Sequence, residues 1–170
     1  MTGVRGLVAL VAVVVAMVLQ VTLFPHVAWA GVVPNLCLLV VVGAGLVRGP
    51  QFAMLLGFAA GVLLDLAPPA DHVAGRWALA LVVVGYVAGR VRQDVRPTAV
   101  SVLVTVAACS FVGTSVFAIT GLVLRDPLLG VGDLLEVIAA ALAWDLLLTP
   151  LVLPLVLGVF RRLEHDRAMA

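Results

Sequence analysis

The stretch LLGFAAGVLLDLAPP, Leu55 to Pro69, holds one polar residue, Asp65, at the end of an otherwise apolar run. Two glycines precede the carboxylate at a spacing of four, so Gly57, Gly61 and Asp65 fall on one face of a helix. Small residues four apart let apolar helices approach backbone to backbone in lipid. Asp65 therefore points along a close-packed seam and not toward hydrocarbon. A second pair, Gly85 and Gly89, repeats the spacing one segment later. This seam predicts two helices packed tightly inside a membrane bundle.

Composition agrees. The 170 residues are 64% hydrophobic and 11% charged, with a mean hydropathy of +1.27. Soluble domains carry roughly 25% charged residues, and a chain this apolar could not cover its own surface in water. The sequence reads as an integral membrane protein forming a single transmembrane domain over 1–170. A formal net charge of +1, with every basic residue an arginine, gives no reason to expect nucleic-acid binding.

Six apolar segments are expected as helices, at about 4–24, 34–47, 51–66, 73–89, 97–124 and 133–160. Proline and glycine punctuate them: Pro25 ends the first, Pro34 opens the second, Gly49-Pro50 separates the second from the third, and Pro68-Pro69 close the third. Segments 2 and 3 are short for a span and read as a tight hairpin; a re-entrant pair is the alternative. The first segment resembles a signal peptide through Arg5 and AWAG (Ala28–Gly31), but its run exceeds the ~7–15 residues of a signal core, so an uncleaved helix is expected. Lipid demands internally satisfied backbone groups, and the runs lack the alternation of barrel strands. The fold class is all-α, a compact six-helix transmembrane bundle.

Arginines orient it. With six spans, one side holds Arg5, Arg48, Arg90, Arg92, Arg96, Arg161, Arg162 and Arg167; the other holds Arg76 and Arg125. The imbalance places both termini in the cytoplasm. The basic segment GRVRQDVRP (Gly89–Pro97) is a topology signal and a candidate contact for anionic lipid or a cytoplasmic partner.

Polar residues at membrane depth are the candidate site. From the turn at Gly49, Asp65 lies 16 residues along segment 3 and Asn35 lies 14 along segment 2. At ~1.5 Å per residue they reach a similar outer level. Arg76 opens segment 4 on that side, so Asn35, Asp65 and Arg76 are expected to converge, either as a polar clamp or as part of a partner-binding surface. In AWDLLLTPLVLP (Ala143–Pro154), Asp145 stands ~18 Å beyond Asp133 by the helical rise, near the midplane. It needs a buried donor or a proton. GDLLEV (Gly132–Val137) reads as a capping box with Asp133 and Glu136.

No catalytic constellation appears: no G-x-S-x-G, no H-E-x-x-H and no serine–lysine or cysteine–histidine arrangement. Cys37 and Cys109 sit in apolar runs as packing residues, and His26, His72 and His165 form no ligand spacing. No enzyme activity, cofactor or metal is expected.

The order PNLCLLVVV (Pro34–Val42), RGPQFAMLLGFAAGVLLDL (Arg48–Leu66) and WALALVVVGYVAGRVR (Trp77–Arg92), closed by a proline-broken last helix and a basic tail, resembles MreD, the rod shape-determining family of the bacterial inner membrane. The residues that stand out are Pro34, Asn35, Gly57, Gly61, Asp65, Gly85 and Gly89. The family's glycine-rich turn after the aspartate is here APPADHVAGR (Ala67–Arg76). The resemblance implies a multi-pass, non-enzymatic subunit of the cell-elongation complex that directs peptidoglycan synthesis, associated with an MreC-like periplasmic scaffold and other elongation-complex membrane proteins. The bundle is also similar to the six-helix substrate-binding subunits of energy-coupling-factor vitamin transporters. That alternative would need a cavity lined by several polar or aromatic groups, and the ten aromatics are dispersed.

Overall fold

A computed structural model describes residues 2–28, 31–68, 73–91, 98–124 and 134–168. Among these, all regular structure is helical: α1 (Thr2–Leu23), α2 (Leu36–Arg48), α3 (Pro50–Leu66), α4 (Arg76–Arg90), α5 (Ala99–Val123) and α6 (Leu134–Ala168), with a 3₁₀ turn at Phe24–Val27. Among the described residues, three stretches are long and apolar enough to cross a bilayer, Arg5–Val27, Ala99–Val123 and Leu134–Arg162. His72, Arg92, Arg96, Arg125 and the Asp133 cap fall outside the described residues; Glu136 lies in the first turn of α6.

The centre of the molecule is α2. Every residue from Leu36 to Gly45 is buried, and α2 touches all of the other helices. That is why its sequence shows no apolar stripe: a helix apolar on all sides is one surrounded on all sides. It stops at Gly49, whose φ of +83° suits glycine, and Pro50 starts α3 at the next residue. The Gly49 amide bonds back to the Gly45 carbonyl at 3.0 Å, and the Gly49 carbonyl accepts from Ala53 at 3.3 Å. One residue therefore closes one helix and opens another.

The seam between α3 and α4 is the most extensive helix contact among the described residues. A Cβ on Gly57 would strike the Leu81 carbonyl, and one on Gly61 the Ala78 backbone. On the facing helix, Gly85 rests on the Ala53 carbonyl and Gly89 on the Pro50 backbone. Glycines on α2 extend the close packing, with Gly45 against Ala88 and Gly89, and Gly43 against Val156.

Two element boundaries differ from the sequence reading by three residues or more. α4 begins at Arg76 and not at Val73, because Gly75 adopts a left-handed conformation at φ +100° as the residue before the helix. α6 runs past Phe160 to Ala168; no glycine or proline follows Gly158 to stop it.

Candidate functional site

The first turn of any helix has N–H groups with no partner inside the helix. α2, α3 and α4 have only 13, 17 and 15 residues, and Asn35 and Leu36 at the start of α2, like Arg76 and Ala78 in the first turn of α4, are buried. Their orphan donors have to be met by side chains from elsewhere.

Asp65 meets those of α4. Gly75 precedes that helix and has no side chain with which to cap it. The Asp65 Oδ2 accepts from the amides of Gly75 at 2.8 Å and Ala78 at 3.1 Å. Its Oδ1 accepts from the Trp77 amide at 3.0 Å. A carboxylate is well suited here, since the start of a helix carries partial positive charge. Asp65 is 3% exposed. The last turn of α3 thus caps the first turn of α4.

Arg76 fastens the same end to α5. Its Nε and Nη2 both donate to the Phe117 carbonyl, at 3.2 and 2.8 Å, and its guanidinium lies 3.9 Å from the centre of the Phe117 ring. Trp77 stacks on that ring at 4.3 Å. Arg76 is buried despite its charge.

Asn35 belongs to a second cluster. Its Oδ1 accepts from the Leu38 amide at 2.9 Å, capping α2. Its own amide donates to Asp145 Oδ1 at 2.9 Å, and Ser110 Oγ donates to Asp145 Oδ2 at 2.7 Å. Gln20 Oε1 accepts from the Cys37 amide at 3.5 Å. Asp145 therefore has two buried donors and sits level with the first turn of α2. The structure joins Asp65 to Arg76's helix end and Asn35 to Asp145, so the expected group of three is divided between two clusters. The physical reason is that Asn35 is occupied at the start of its own helix.

Between the clusters lies a cavity of about 250 Å³. Gln20, Asn35, Thr114 and Asp145 supply polar groups, and Trp77 and Phe117 form an aromatic wall. The Asn35 Nδ2 is buried, with no hydrogen-bond partner among the described residues. Its orientation is set by chemistry, because only the oxygen can accept from the Leu38 amide. The side chain is 7% exposed, so an unmet donor stands at the cavity wall.

Sequence reasoning missed Gln20, Ser110, Thr114, Trp77 and Phe117. Gln20 carried a signal as the lone amide of an apolar helix, and Ser110 and Thr114 shared a face four residues apart. Among the described residues, no three of histidine, cysteine, aspartate and glutamate could together hold a metal ion. Cys37 and Cys109 are free and buried.

No curated protein and no solved structure matches the chain. A sequence profile of the family described as rod shape-determining protein MreD matches residues 2–163. That stretch contains both helix-capping clusters, the glycine seam and the cavity, and on it the chain belongs to the MreD family of rod shape-determining membrane proteins.

Proposed function

We propose that this protein is a non-enzymatic, six-span subunit of the bacterial inner membrane, with both termini in the cytoplasm. It supports cell shape and lateral peptidoglycan synthesis by binding an MreC-like scaffold within the elongation complex. The observation that carries the reading is the cavity between the two capping clusters. It lies at the ends of α2, α3 and α4 remote from Arg48 and Arg90, which the arginine pattern assigns to the periplasmic side. It offers an unmet amide donor for a backbone carbonyl and an aromatic wall for an apolar side chain. A chain segment supplies both.

The vitamin-binding alternative fits less well. Such a site needs several polar or aromatic groups converging on roughly 300–1,000 Å³; the cavity that has those groups is about 250 Å³, and the groove of about 540 Å³ between α5 and α6 is lined mainly by apolar residues.

Co-purification with the cognate scaffold tests the proposal. Ala141 lines the cavity from α6, and Ala141→Trp fills it while leaving the hydrogen bonds of both clusters in place. The variant is expected at normal abundance with scaffold recovery reduced at least tenfold. Undiminished recovery with Ala141→Trp overturns the assignment of the cavity.

A further inference from the structure

A separate groove of about 540 Å³ lies between the start of α5 and the stretch of α6 from Thr149 to Arg161. Val102 and Leu103 form one wall, and Leu153 and Leu157 the other. The α6 stripe between them is low. Pro150 and Pro154 present compact rings, and a Cβ on Gly158 would meet nothing within 4 Å. Arg161 stands at one end of the groove. It is exposed, and its guanidinium has no hydrogen bond or ion pair among the described residues. Arg162 follows it, and among the described residues no carboxylate lines the groove.

We propose that this groove binds one anionic phospholipid, with an acyl chain along the Val102–Leu157 walls and the phosphate on Arg161. The volume falls in the range that takes a small molecule or a chain. It is far too small to seat a helix, which is ~10–12 Å across with its side chains. An arginine at the membrane boundary lays its aliphatic stem on apolar surface and holds its charge at headgroup level. Basic pockets between spanning helices recognise anionic headgroups, each arginine adding about fivefold in affinity. On α6 the site uses residues from Thr149 to Arg161, C-terminal to Asp145, and it does not depend on the scaffold-binding reading.

The test uses full-length purified protein, stripped of lipid in detergent and offered palmitoyl-oleoyl phosphatidylglycerol, palmitoyl-oleoyl phosphatidylcholine or glycerol phosphate. Bound lipid is counted by native mass spectrometry. One phosphatidylglycerol per chain is expected, held about fivefold more tightly than phosphatidylcholine. Arg161→Gln, at an exposed position, should fold normally and bind the two lipids equally. Gly158→Leu, which occupies the groove from open space, should lose both. Equal binding of the two lipids by the wild type overturns the proposal, as does a preference that survives Arg161→Gln. Competition by glycerol phosphate as strong as by lipid would show that no chain is recognised and would overturn it too. If Gly158→Leu retains lipid but loses a partner protein, the groove is a protein seat and the proposal fails.

Discussion

At the scale of the residue, Asp65 acts through three hydrogen bonds and not through its charge alone. Asp65→Leu leaves the amides of Gly75, Trp77 and Ala78 without that acceptor. One lost cap costs about 1 kcal/mol, and a buried orphan donor about 1–3 kcal/mol. The leucine variant should therefore lose roughly 2–4 kcal/mol of stability. Asp65→Asn keeps one acceptor oxygen and should lose less than half as much. Thermal unfolding in detergent ranks the two; equal midpoints for both variants and the wild type would refute the capping role. Asp145 follows the same logic. Asp145→Asn can still accept from the Asn35 amide and can turn its new donor toward Ser110 Oγ, so it should be mild. Asp145→Leu strands both partners and should markedly reduce the amount of folded protein recovered from membranes.

At the scale of the element, the glycine seam sets how closely α3 and α4 approach. Gly61→Leu and Gly85→Leu put a side chain where the backbone of the facing helix already stands. Neither neighbour can move without moving a helix, so each variant should cost more than the ~1–3 kcal/mol of ordinary overpacking. Gly6→Leu, at an exposed position in α1 where a Cβ meets nothing within 4 Å, is the matched control and should leave the melting temperature unchanged. A normal melting temperature for both seam variants would mean that α3 and α4 do not meet through these glycines. The seam was legible because its signal is local: glycines four apart within one segment, bounded by proline. The start of α4 was not, since the acceptor that lets Gly75 precede the helix comes from ten residues earlier on another helix. The partnership of Asn35 with Asp145 spans 110 positions, and no periodicity encodes such a meeting. The depth argument failed there for a related reason. It counted rise along each helix separately, whereas the partner of Asn35 was fixed by where α6 lies against α2.

At the scale of the whole molecule, the question is how helices of 13, 17 and 15 residues belong in a bilayer. At 1.5 Å per residue they measure about 20, 26 and 23 Å, against a hydrocarbon core of about 30 Å. Irregular backbone is tolerated at membrane depth where protein surrounds it. The segment before α2 meets that condition at its inner end, with Pro34 and Asn35 buried. Short helices with polar caps, completed by buried irregular chain, thus suit six crossings. A re-entrant α2–α3 pair makes a different prediction about one point, the turn at Gly49. Both arrangements put Pro68 outside and Ala170 inside, but six spans carry that turn to the cytoplasmic face, whereas a re-entrant pair leaves it inside the bilayer. Gln51, exposed beside the turn, separates the two: Gln51→Cys should react with a membrane-impermeant maleimide applied from the cytoplasmic face. A reporter active only in the periplasm should work at Pro68, and one active only in the cytoplasm should work at Ala170. Failure of Gln51→Cys to react from the cytoplasmic face would replace the six-span arrangement with a re-entrant one. Periplasmic activity at Ala170 would overturn the orientation itself, because eight arginines would then lie on the side from which positive charge is excluded.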